Sequence, residues 1–391
     1  MLYGILGRLD NLISVFMTIG SPTLAGYSLA ITSLNTQWLE CQFSYLHFSN
    51  KETIPPVVGA LQHIPFKIDP LDSVLPSLIV LPQNDQYWKH LAVAAKRTKQ
   101  ASIALWISLT WVFFALLITL IDSFVDFDHF VTIPGAAGYS IVAVWSYLLC
   151  LVTGWLEVGF QREANSLCNA LDGAHEITYI ANTAEPVLAT QVTGRCTHGI
   201  DPSTEHIDHV NNDEKKATPI FNYSRVFIWS QYAEHILKLY KRAADKANRR
   251  STVRSERVWV DNDHGDTIPA RNLVGNEAEV TQYCMGKRNG LGGVTAGTHA
   301  NSSKPIFATE VFRRVCFATI LALGLQWFTT GAAIHVHPRT PPKGFGCRAM
   351  TLLAYGVTSM IAFGILLFSS VLASDTVLDT TSLQLASEFF F

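Results

Sequence analysis

The chain has 391 residues, 49% of them hydrophobic and only 15% Asp, Glu, Lys or Arg, with a formal net charge of −2. An ordinary soluble domain carries about 25% charged residues. The near-zero balance excludes a global field directed at nucleic acid or an acidic substrate, and the missing charge is concentrated in a few long apolar runs.

Residues 1–11 form an N-terminal tail in which Arg8 and Asp10 interrupt the apolar core that a secretory signal needs. Residues 12–34 are free of charge and long enough for a first span, with Gly20, Ser21, Pro22 and Gly26 near the centre. Pro22 removes one helical hydrogen bond and predicts a kink, and a re-entrant or interfacial segment is the alternative. Residues 35–100 carry Pro55, Pro56, Pro65, Pro70, Pro76 and Pro82, which predict a cytosolic loop of short pieces. After them Asn84 or Asp85 caps a helix running from Gln86 straight into the second span. Lys96, Arg97 and Lys99 stand at the membrane boundary, where cations snorkel to headgroups.

Residues 101–121 and 133–156 contain no Asp, Glu, Lys or Arg, and the acidic segment 122–132 joins them. Each is long enough to cross a hydrocarbon core of about 30 Å, so the pair predicts a transmembrane helical hairpin. Residues 157–314 form a long polar insertion. Within it Gln161–Ala181 reads as a helix, and Thr183–Phe221 as a flexible loop. Over residues 223–246, Val226, Trp229, Ala233, Ile236, Leu237, Tyr240 and Ala244 recur on one helical face. Lys238, Lys241, Arg242 and Lys246 occupy the rest. Two readings fit: a helix lying on an anionic leaflet through Trp229 and these cations, or a helix packed on the cytosolic ends of the spans. Arg249–Ser303 is loop-like, and its glycine-rich patch lacks the order of a phosphate-binding loop. Spans four and five follow at 315–334 and 349–373, joined by residues 335–348. Residues 374–391 are a tail without Lys or Arg.

Lys and Arg are absent from 122–132 and abundant in 35–100 and 157–314, which places the latter two in the cytosol and the N-terminus outside. Arg339, Lys343 and Arg348 on the outer side run against that rule. In the same orientation the sequons Asn222-Tyr-Ser and Asn301-Ser-Ser are cytosolic and unused.

Chemistry-bearing motifs are sparse. Cys196, His198, His206 and His209, with Asp208 between the last two, are the available metal ligands, but their spacing matches no zinc motif and a polar loop accounts for them. His335 and His337 suit the headgroup level. The seven cysteines, Cys41, Cys150, Cys168, Cys196, Cys284, Cys316 and Cys347, lack CxxC spacing and argue against a disulfide framework. No G-x-S-x-G elbow or HExxH helix is present. The spans contain one amide, Gln326, and no charge, which disfavours a proton-coupled transporter or pump.

Several stretches, Lys67-Ile68 with Leu75–Trp88, Trp327–Ala333 in the fourth span and Gly344–Arg348 before the fifth, resemble a group of uncharacterised multi-pass membrane proteins of filamentous fungi. The resemblance implies a fungal polytopic membrane protein and carries no site residues. The expectation is therefore an all-α integral membrane protein with five transmembrane helices and a partly disordered cytosolic insertion. It is read as non-enzymatic and without cofactor, contacting the bilayer and either anionic headgroups or cytosolic protein, and not nucleic acid. A channel or transporter, then a membrane enzyme, are the alternatives.

Overall fold

The apolar runs at 12–34, 103–121, 315–334 and 349–373 lie in long helices, because a helix satisfies its backbone groups internally and these runs have no charge to solvate. The computed structural model describes residues 2–66, 68, 74–97, 103–125, 148, 151–152, 154–155, 164–182, 185–191, 199–201, 219–261, 268–285, 310–336 and 346–388. Helix α1 spans Leu2–Ser44, with its helical backbone unbroken at Pro22. At 1.5 Å per residue it is about 65 Å long, twice what a bilayer core requires. Its last ten residues therefore lie in the segment expected to be a loop.

Two later helices complete a bundle with α1, and a third apolar helix stands outside it. To keep chain order, α2 is Ile54–Leu61, α3 Val74–Val80, α4 Asp85–Lys96 and α5 Ile103–Val125. They are followed by α6 Ala164–Ala174, α7 Val226–Asn248, α8 Ala270–Leu273, α9 Glu277–Met285, α10 Glu310–Val336 and α11 Cys347–Glu388. The protein is thus predominantly helical; among the described residues one small sheet pairs β1 (Tyr179–Ile180) antiparallel with β2 (Val187–Leu188).

Helices α10 and α11 are long and apolar enough to cross a membrane. Only 28% and 22% of their apolar windows are buried, whereas the core helix of a soluble protein is mostly buried. They pack on α1 in a definite register. Arg314 meets Asn35, Ala322 meets Gly26 and Gln326 meets Thr23, so α10 runs antiparallel to α1. Ser359 meets Thr23 and Phe363 stacks edge-on to Tyr27 at 5.5 Å, so α11 runs parallel to α1. Leu24, Tyr27, Ile31, Val315, Ala318, Ala322 and Phe363 fill the seam. Helix α11 continues past residue 373 to Glu388, which converts the first part of the expected tail into helix.

A second, larger core holds Leu39 to Ala95, Leu167 to Ile200 and Trp229 to Cys284. The Pro-rich segment supplies about half of it, and the expected loop proves to be a packed layer. Prolines end long helices but begin short ones: Pro55 and Pro56 occupy the first turn of α2, where no helical donor is lost. Helix α4 lies across α2 and α6, and α9 is wedged against α3 and α7. Asn84 ties the layers, its Nδ2 donating to Ser77 O and Tyr179 O while its Oδ1 accepts from Tyr179 N. Two buried tryptophans anchor helices through ring N–H groups: Trp88 donates to Leu78 O and Trp229 to Val58 O, both at 2.8 Å.

Helix α6 is shorter than the expected Gln161–Ala181, passing at His175–Ile177 into a 3-10 turn and then β1. Within Arg249–Ser303, α8 and α9 are ordered where loop was expected. Of the hairpin, α5 is described throughout and the return segment in part. Trp155 stacks edge-on to Trp106 at 6.2 Å, and a Cβ on Gly154 would stand 2.6 Å from Leu109 Cδ2. A larger residue there would displace the end of the Leu109 side chain.

Candidate functional site

The polar side chains that stay buried collect where the α1/α10/α11 bundle meets the larger core. Helix α1 brings Ser28, Thr32 and Asn35 there, one helical turn apart and at most 2% exposed. Thr32 Oγ1 donates to Ser28 O at 2.6 Å, the usual back-bond of a helical threonine. The 3-10 turn Pro219–Ser224 brings Asn222, and the start of α7 brings Arg225. His63 follows the end of α2.

Arginine has no acceptor, and this fixes the orientation of the whole junction. Arg225 Nη2 donates to Asn222 Oδ1 at 3.3 Å, so Asn222 Nδ2 faces the other way. It donates to Thr32 Oγ1 at 2.8 Å and to His63 Nδ1 at 3.2 Å, making Nδ1 the unprotonated ring nitrogen. Ser370 of α11 closes the ring, its hydroxyl donating to Tyr223 O at 2.9 Å. One turn further along α1, Arg314 of α10 donates to Asn35 Oδ1 and lies 4.2 Å over the Trp38 ring. Five elements separated in sequence are thus joined by oriented donors, most of them without charge.

A second polar cluster lies deep in the bundle. Thr23 Oγ1 donates to Gln326 Oε1 and accepts from Ser359 Oγ at 3.3 Å, while Gln326 Nε2 donates to Gly356 O at 3.4 Å. Gln326 is twelve residues, about 18 Å, along α10 from Arg314. Its polar atoms are consumed by three helices, which makes the cluster a fastener and not a lining.

The amphipathic helix expected at 223–246 is α7. Trp229 is 1% exposed, and the apolar face from Val226 to Ala247 is covered by protein, chiefly within the larger core. Its cations are engaged as well. Lys241 Nζ donates to Gln42 Oε1 at 2.6 Å, Arg242 Nη1 to Met285 O at 2.7 Å and Lys246 Nζ to Gln282 O at 2.9 Å. Lys238 pairs with Glu234 at 3.9 Å. Val226 and Phe227 touch the bundle, whereas Tyr240 meets Phe43 at the far end of α1. Lys241 therefore stands about 22 Å further along α7 than the bundle contact.

Cys196, His198, His206 and His209 lie outside the described residues, as do His337 and Asn301. Among the described residues, no three His, Cys, Asp or Glu side chains come together in a way that would hold a metal ion. Cys284 is fully buried, and burial pushes its thiol up to about 12, which leaves it without thiolate character near neutral pH. Asn222 was marked in the sequence only as a sequon. The structure buries it with both Nδ2 bonds committed, leaving no room for a glycan. Nothing local marks the roles of His63 and Arg314 here, since their partners Asn222 and Asn35 lie 159 and 279 residues away. A shallow groove of about 490 Å³, lined by Glu40, Phe43, Lys51, Glu52, Pro55 and Lys96, opens at the end of α4. No protein-family model, curated protein or solved structure matches the chain.

Proposed function

We propose that the chain is a multi-pass membrane protein with five spans, whose cytosolic segments fold into one helical domain docked on the membrane bundle. Its work is non-enzymatic contact with lipid or protein partners. One observation carries this reading. The larger core is drawn from residues 39–95, 167–200 and 229–284, the stretches that a five-span chain places on a single side of the bilayer. A soluble protein has no reason to divide its core so neatly between the apolar runs.

The surfaces agree. Trp111 is 75% exposed on α5, Ile320 66% on α10 and Phe368 62% on α11, in each case among other uncovered aromatic and aliphatic side chains. Uncovered aromatic and aliphatic side chains on three apolar helices suit a lipid surround. Alternation of direction also follows: the ends of α1 and α11 and the start of α10 share the side where the helical domain sits.

The test is thiol accessibility in sealed vesicles containing single-cysteine versions of the full chain. Cysteines at Lys89, Lys238 and Glu256 should share one side, and a cysteine at His335 should react from the other. Reaction of Lys89 and Lys238 positions from opposite sides would overturn the topology.

A further inference from the structure

The solvent face of α4 carries Gln86, Lys89, His90, Val93, Lys96 and Arg97, the three- and four-residue spacing of a single helical stripe. The opposite stripe, from Tyr87 to Ala95, is buried. Asp85 is the only acid of this helix, and it is occupied as the acceptor of Asn50 Nδ2. Lys89, Lys96 and Arg97 make no ion pair or side-chain hydrogen bond among the described residues. Every cation named on α7, by contrast, is engaged with protein.

Position distinguishes the two helices further. Arg97 leaves α4 in an extended conformation, and Ile103, 79% exposed, begins α5 six residues later. Six residues reach at most about 21 Å, so the basic stripe is tethered beside the point at which α5 enters lipid. Val93, 63% exposed, puts an aliphatic side chain in the middle of the stripe. Cations around an exposed apolar residue, next to a span, form the pattern that anionic headgroups and the acyl boundary accept together. Lys96 also lines the groove at the end of α4 beside Lys51, Glu40 and Glu52, and among the described residues neither acid is within ion-pair distance of it.

We infer that the outer face of α4, through Lys89, Lys96 and Arg97 around Val93, is an anionic-lipid contact of the leaflet that α5 enters. The inference rests on the membrane reading above and assigns it a surface. The test titrates the detergent-solubilised full chain with phosphatidylserine or phosphatidylcholine and counts bound lipid by native mass spectrometry. Phosphatidylserine should be preferred, and the preference should shrink as salt rises. Each of Lys89→Gln, Lys96→Gln and Arg97→Gln should weaken it about fivefold, and the triple variant on the order of a hundredfold. Replacing Lys238, Lys241, Arg242 and Lys246 together by Gln should leave it unchanged. A chain with no preference, a preference that survives the triple variant, or one lost only in the α7 variant overturns the assignment. Sedimentation of native membranes at high pH is read separately: release there defeats the membrane reading itself, whereas a retained chain indifferent to phosphatidylserine defeats only this surface.

Discussion

Trp229 decides between the two readings of the amphipathic helix, and its replacement has a calculable effect. The indole is 1% exposed and its N–H satisfies the Val58 carbonyl at 2.8 Å. Trp229→Ala empties that volume and strands the carbonyl, at a cost of about 3–5 kcal/mol. Trp229→Phe keeps most of the packing and removes only the donor, at about 1–3 kcal/mol. For a domain of this size each kcal/mol lowers Tm by about 2–4 °C. The alanine variant should therefore melt roughly 6–20 °C lower, with the phenylalanine variant between it and the parent. The assay is resistance to trypsin of the full chain in detergent across a temperature ramp. An unchanged melt accompanied by loss of binding to anionic vesicles would show that the apolar face of α7 lies in lipid, and the packing argument would be abandoned.

Other expectations are independent of that one. Asn222→Leu leaves Arg225 Nη2 and His63 Nδ1 without their amide partner and should lower stability by about 1–3 kcal/mol, read from the same melt. Gln326→Leu, in a fastener where Thr23 and Ser359 still face each other, should cost only about 1 kcal/mol, measured as resistance to denaturing detergent. A maleimide should modify the exposed Cys41 and Cys347 in the folded chain and reach buried Cys284 only after denaturation. Alkaline stability follows from the buried thiol and phenols. Cys284 titrates near its ordinary value of 9.0 when unfolded and at about 12 when folded, so the unfolded chain loses its proton first. Stability should hold below about pH 9 and fall as pH rises toward 12, with Tyr87 and Tyr240, also raised by burial, adding to the upper part. Cys284→Ala should flatten the first part of that decline; an unaltered curve would refute the assignment.

What could be read in the residues was governed by range. The 315–334 and 349–373 runs show themselves as helices because lipid-compatible composition is a local property, and the α7 stripe because its period is local. What the stripe faces is not local. Val226 to Ala247 present the same pattern to a membrane or to α9, and only the positions of Val58, Tyr283 and Phe43 decide. The Pro-rich segment misled for a related reason. Pro55, Pro56 and Pro82 forbid a long helix yet favour the first turn of a short one, and no periodic signal fits into seven or eight residues. The junction around Asn222 was hidden altogether, since its partners Thr32 and His63 are 190 and 159 residues away.

Helix α1 also constrains how the protein is made. Its final turns, with Leu39 and Phe43, find their cover in Tyr240 and its neighbours, which are synthesised some two hundred residues afterwards. On the proposed topology a ribosome has by then threaded a complete hairpin into the bilayer, leaving the Tyr240 side of the earliest cytosolic oily patch open for about half of translation. A nascent chain halted before Val226 should accordingly attract chaperones and quality-control ligases, and that dependence should vanish once Met285 has emerged.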